Sequence, residues 1–198
     1  MAVADVIAGP ITLWKSPVAE AVPDDDVIAG AAWGGNWVEV GYTEAPLSSN
    51  YDFVELELKS EQELAVMKRR KSAESLVMET VLLELTASKL AIVTSGTANT
   101  TAAAAAQVGK DELLVGGEYQ IDEAQWGFEG TYTDSSGNSF PVRAFVWKAT
   151  AKLNAAQEYS STAWVGIPIQ IKALVDTSKA VGQKLWKWQR VTAAATGG

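Results

Sequence analysis

The chain contains neither cysteine nor histidine. Without thiols there is no disulfide framework and no thiolate nucleophile, and zinc sites built on Cys or His are excluded with them. A Ser-His-Asp triad and a Cys-His dyad are out of reach for the same reason. No apolar run approaches the length of a membrane span, and the opening MAVADVIAGP lacks the basic region and apolar core of a secretory signal. Gly116-Gly117 is not a phosphate loop, because no lysine follows in the required place. Positive charge is in deficit: 16 Lys and Arg against 24 Asp and Glu give a net charge of −8. A surface of that sign disfavours sequence-independent phosphate binding and would repel DNA brought close to it. No catalytic, cofactor-binding or metal-ligating residue is assigned, and neither an enzyme nor a membrane-inserted protein is expected.

What is present suits one well-buried domain: 198 residues, 47% of them hydrophobic, with no linker that separates independent units. Residues 50–96, NYDFVELELKSEQELAVMKRRKSAESLVMETVLLELTASKLAIVTSG, carry the most information. Val54, Leu56 and Leu58 alternate with Glu55, Glu57 and Lys59, the period of a strand with one buried and one wetted side. The polar segment 60–72, with Glu61 and Glu63 early and Lys68-Arg69-Arg70-Lys71 late, reads as a long loop between two strands. A nearly continuous apolar run over 76–85 predicts a buried strand. Thr86 then caps a short helix over 87–94, with Gly96 as its stop.

Around this stretch the signals are mainly β. Residues 11–14 read as a strand or an extended arm, and 32–42 as a glycine-kinked entry into a strand, with Trp37 facing as Glu39 does and Val38 as Val40 does. Asp24-Asp25-Asp26 reads as a solvated turn rather than a calcium loop, since the EF-hand spacing is absent. The Ala-rich segment 96–110 reads as a connector, with at most one helical turn. Beyond it, strand patterns run through 119–132, 140–152, 164–175 and 185–191, with a turn at 134–138. Pro168 predicts an edge or bulge position for its strand. The tail, 192–198, is expected to be mobile. The count predicts a mainly β fold: two packed sheets, as a sandwich or barrel, with one flanking helix and a long inter-strand loop.

Chemical and structural readings of the same residues compete. A glycosidase pair needs two carboxylates facing each other across a bond, with one pKa raised. Glu55, Glu57, Glu61 and Glu63 instead recur along one strand and its loop, which favours a solvated face. The basic run 68–71 lacks the interleaved aromatics of a nucleic-acid patch, and pairing with acids of another subunit is the preferred reading. Eight tryptophans are too many for one small core. Trp33, Trp37, Trp164, Trp186 and Trp188 are therefore candidate subunit contacts. Their rival role is sugar stacking, as in a carbohydrate-binding β-sandwich module.

The segments KRRKSAESLVMETVLLELTASKLAIVTSG and GPITLWKSPVAEAVPDDDVIAGAAWGGNWVEVGYT together resemble the major tail tube proteins of long-tailed bacteriophages, over roughly the first half of the chain. The tube protein of bacterial contractile secretion machines is the nearest related alternative. The resemblance implies two packed sheets flanked by a helix, six-fold rings, and rings stacked into a hollow tube in the virion tail. It implies channel-lining strands near 52–59 and 73–84 and an inter-ring loop near 60–72, carrying Lys68, Arg69, Arg70 and Lys71. That loop is expected to order on assembly. The helix near 86–95 would pack outside the channel sheet, against a neighbouring subunit. Candidate lumen-facing acids are Glu55, Glu57, Glu61, Glu63, Glu79 and Glu84, with DNA a transient passenger. Implied partners are further copies of the chain and tape-measure, tail-terminator and tail-tip proteins, after synthesis in the host cytoplasm.

Overall fold

The structure, a computed structural model, describes residues 10–44, 46–134, 136–157, 159, 161–162 and 165–193. The leader expectation, Trp164, Ser135 of the 134–138 turn and residues 194–198 of the tail lie outside the described residues. The fold is mainly β with a single helix among the described residues. In chain order the elements are β1 (Thr12–Ser16), β2 (Val38–Glu39), β3 (Ser48–Ser60), β4 (Glu63–Leu82), α1 (Ala87–Thr94), β5 (Thr97–Thr101), β6 (Lys110–Leu114), β7 (Glu123–Thr133), β8 (Ser139–Leu153), β9 (Ile167–Ala173) and β10 (Trp186–Arg190). Eight strands form one antiparallel sheet in the order β2-β1-β7-β8-β9-β4-β3, with β10 paired to β8, and β5-β6 form a second, two-stranded sheet.

β8 is the hinge of the larger sheet. Its first half pairs with β10 through Val142–Val146, and its second half pairs with β9 through Ala149–Leu153. Between them the register against β7 shifts by one residue, so Val146 and Ala149 both face the same core. That bulge lets one long strand serve two strands along a single edge. The main core collects Leu13, Leu76, Met78, Leu82, Trp126, Phe128, Val146, Ile167, Ile169 and Ile171, and α1 closes it with Val93.

The opposite face of β1-β7-β8 would be wet if the sheet stood alone. Residues 17–37 instead fold back over it as a strap and build a second core from Trp14, Trp33, Trp37 and Phe145. Trp33 stacks on Trp14 with ring centroids 5.1 Å apart and meets Trp37 edge-on at 5.0 Å. Gly127 makes this seat, because a Cβ there would overlap the Trp33 ring. A buried ion pair pins the strap. Arg143 Nε donates to Glu129 Oε1 at 2.9 Å, and its Nη1 and Nη2 donate to the carbonyls of Asp24 (3.1 Å) and Val27 (2.6 Å). Glu129 in turn accepts from the Gly30 amide at 3.0 Å and from the Trp33 indole at 3.3 Å.

Several expectations change here. Trp33 and Trp37 are not subunit contacts: both are buried inside their own chain. The strand expected over 32–42 shrinks to Val38–Glu39, and Val38 is exposed while Val40 is buried. The Ala-rich connector is the β5–β6 hairpin, whose tip carries the Ala104–Gln107 bridge rather than a helical turn. Thr97–Thr101 holds three β-branched threonines, which suit a strand. Pro168 is neither at a sheet edge nor at a bulge; β9 lies between β8 and β4, and the proline stands next to its first residue. The helix matches expectation, with Thr86 Oγ1 accepting from the Lys89 amide at 3.3 Å. Its left-handed terminus is Ser95 (φ 50°), and Gly96 serves a close approach, since a Cβ would lie 2.8 Å from the Leu114 carbonyl.

The pinned strap makes a direct stability prediction. Arg143→Met leaves the Glu129 carboxylate buried without its cation, a loss of about 3–5 kcal/mol. Guanidinium unfolding followed by Trp fluorescence is expected to show a fall in unfolding free energy of that size, and adding Glu129→Leu is expected to recover part of it.

Candidate functional site: the β3–β4 arm

The segment expected to be a loop is strand. β4 runs unbroken through Glu63–Leu82, β3 ends at Ser60, and Glu61-Gln62 form the turn between them. Lys68, Arg69, Arg70 and Lys71 are therefore ladder residues of β4, paired with Leu58, Glu57, Leu56 and Glu55. The channel strands placed near 52–59 and 73–84 are longer than expected and meet through this hairpin. Charged residues are poor strand formers. Here they are tolerated because both sides of the hairpin are wet.

β9 pairs with β4 only from Val77 inward. Over Lys71–Glu74 the strand still lies beside the body, sharing a cavity with Val175, Lys184 and Trp186. Beyond it β3 and β4 form a free two-stranded arm, which at roughly 3.3 Å per residue reaches on the order of 25 Å past the body. Both outer edges of the arm carry unpaired ladder groups, because β3 is an edge strand and β4 has lost β9.

The two sides of the arm exchange character along its length. At the base, Leu76 and Met78 point into the main core. Further out the same side carries Tyr51, Phe53 and Glu74, then Glu55, Glu57, Arg69 and Lys71. The opposite side starts polar, with Asn50, Asp52, Ser75 and Glu79, the last accepting from Gln170 Nε2 at 2.5 Å. Past a register shift at Val54/Glu55 it becomes an apolar stripe of Val54, Leu56 and Leu58, which are 58%, 50% and 57% exposed. Lys68 and Arg70 stand beside the two leucines and form no ion pair among the described residues. The expected alternation is thus present, but the side expected to be buried is uncovered.

The charged side is internally neutralised. Arg69 pairs with Glu57 at 3.0 Å and with Glu55 at 3.6 Å, Lys59 reaches Glu57 at 3.0 Å, and Lys71 reaches Glu74 at 3.4 Å. Lys71 also donates to the Tyr51 hydroxyl at 2.8 Å and lies 4.8 Å from the Phe53 ring centroid. The hydrogen bond from Lys59, helped by Arg69, holds the Glu57 carboxyl below its ordinary range. The bond to Tyr51, then that to Glu74, raises the Lys71 ammonium. Arg69 and Lys71 thus satisfy acids of their own chain, which corrects the expectation that the whole basic run pairs with another subunit.

The six candidate acids do not share one face. Glu55 and Glu57 lie on the charged side, whereas Glu79 lies on the opposite one. Glu61 sits in the turn, and Glu63 pairs with Ser60 across it. Glu84 follows the end of β4 and approaches Lys89 of α1 at 3.9 Å. Among the tryptophan contacts, Trp186 packs half-buried on the main core and Trp188 remains 52% exposed. With Trp14, Trp33, Trp37 and Trp126 buried, the described tryptophans present no exposed row on which a sugar would stack.

One groove of about 470 Å³ lies elsewhere, between β1, β2 and α1, lined in part by Lys15, Glu39, Lys89, Ile92 and Asp122. Burial lowers the Lys15 ammonium from its ordinary value, and Asp122 partly offsets this. Sequence reasoning gave no sign of it, because its residues come from segments far apart in the chain. Comparison with known proteins finds no protein-family model and no curated protein that matches the chain.

The ion-pair ladder is exposed, so its effect is local. In Arg69→Met the unfolding midpoint of the body is expected to stay within error, while amide exchange over 53–58 speeds up. Because Glu57 has a depressed folded pKa, its contribution is complete above its unfolded value and is lost as pH falls through the folded one. Exchange protection of the arm is expected to fall in that acidic window in the unaltered chain, and to be already low at neutral pH in the variant.

Proposed function

We propose that this chain is a structural subunit that assembles with copies of itself into stacked rings, forming the hollow tail tube of a long-tailed bacteriophage through which DNA passes. The observation that carries this reading is the arm: long, open at both edges, and bearing an apolar stripe that nothing in its own chain covers. A lone two-stranded hairpin is marginal in water, and open edges are templates for pairing. Both conditions are relieved when the arm meets neighbouring copies. Its two open edges are different strands, β3 and β4, so a contact that joins the β3 edge of one copy to the β4 edge of the next is heterologous. Heterologous contacts close into rings or propagate without limit.

Ring formation in this reading joins the β3 edge of one copy to the β4 edge of the next, and the arms reach between rings. That gives the arm the inter-ring role first expected of a loop. Passage of DNA needs a wall to which phosphates do not adhere. The net charge of −8 provides repulsion on average. On the charged side of the arm, Arg69 and Lys71 are already occupied by carboxylates and offer phosphate little. A terminator, a tape-measure protein and a tail-tip complex would limit and seed the tube, and the assembled location is the virion tail.

The test removes the stripe and keeps the fold. Leu56→Asp with Leu58→Asp alters exposed side chains only, so circular dichroism and the unfolding midpoint are expected to match the parent. In sedimentation velocity the parent is expected to form large species as concentration rises and the variant to remain a monomer. A variant that assembles like the parent would remove the arm, and with it this reading.

A further inference from the structure

A stripe that has to be covered needs a complementary surface, and the chain carries one. β6 and the segment after it, residues 110–123, expose Leu114, Val115, Tyr119 and Ile121, with Leu114 62% and Tyr119 fully exposed. Asp111, Glu118 and Asp122 are interleaved with them and exposed. Glu118 forms no ion pair among the described residues, just as Lys68 and Arg70 form none on the arm. We propose that the apolar stripe of one arm, Val54, Leu56 and Leu58, docks on the 110–123 strip of a second copy, with Lys68 and Arg70 meeting Glu118.

Four observations favour a second copy as the occupant. The arm stripe is flanked by cations, whereas the strip carries five acids, Asp111, Glu112, Glu118, Asp122 and Glu123, against one lysine, Lys110. Neither row is covered within one chain. The arm projects well beyond the last β9 pairing, so a separate molecule is within reach. Finally, the β5–β6 hairpin stands on α1, and its half-buried residues Ala98 and Leu113 leave Leu114 and Glu112 on the free side. Apolar contact supplies the affinity of such an interface, while flanking charges set its register and exclude wrong partners. This assignment rests on the self-assembly reading and adds to it the surface that receives the arm.

Absence of native cysteine makes the contact directly testable. Leu58→Cys is placed in one preparation and Leu114→Cys in another of different tagged mass, and the two are mixed and oxidised at a concentration where the parent assembles. A disulfide-linked heterodimer is expected on a non-reducing gel, exceeding either self-linked product. In parallel, Lys68→Glu with Arg70→Glu is expected to raise the concentration needed for assembly by at least about tenfold. Mixing that variant with one carrying Glu118→Lys is expected to lower that concentration again. Parent protein that assembles with neither a heterodimer nor a rescue overturns this docking while leaving self-assembly intact. Parent protein that stays monomeric at every concentration, with or without a tail-tip seed, overturns both.

Discussion

The strand pair β3–β4 is amphipathic in one sense at its root and in the other at its tip. Near the body, β4 turns Leu76, Met78 and Leu82 inward, and the core takes them up. Beyond Val54 that same side becomes an ion-paired surface, and the stripe of Val54, Leu56 and Leu58 faces away from its own core. The two leucines stay at least half exposed. Burial of a Leu side chain favours a partner by about 1.5–3 kcal/mol. Several such residues in a row on a hairpin of marginal intrinsic stability are a standing bias toward association.

The rest of the fold gives this arm a rigid base. β4 enters the body between β3 and β9, and β9 is fixed in turn by the second half of β8. The bulge in β8 lets that strand also hold β7 and β10, so the root of the arm is tied to both halves of the larger sheet. On the far face, the strap and its Arg143–Glu129 pair hold the second core, with five hydrogen bonds converging on two buried side chains.

Legibility in the sequence followed the range of the interaction responsible. The helix was readable because its signal is local: Thr86 at the cap and an apolar run ending near Ser95. Strands β7 to β10 were readable from alternation or turn residues. The arm was misread as a loop because Glu63 and the run Lys68–Lys71 violate strand propensity, and only the cross-strand register explains them. Trp33 and Trp37 were misread as contacts because their burial depends on Gly127, Glu129 and Arg143, about a hundred residues away. The receiving strip at 110–123 was invisible in a segment read partly as connector. Its meaning depends on knowing that β5 and β6 pair and leave one side open.

Negative-stain electron microscopy of the purified chain, concentrated with and without moderate salt, addresses the central claim most directly. Hollow tubes or stacked rings of uniform width are the expected result, either spontaneously or on addition of a tail-tip seed. Their onset is expected to depend on salt, because charge sets the register between copies. Uniform small particles at every concentration, unchanged by salt and indifferent to a seed, would contradict the account.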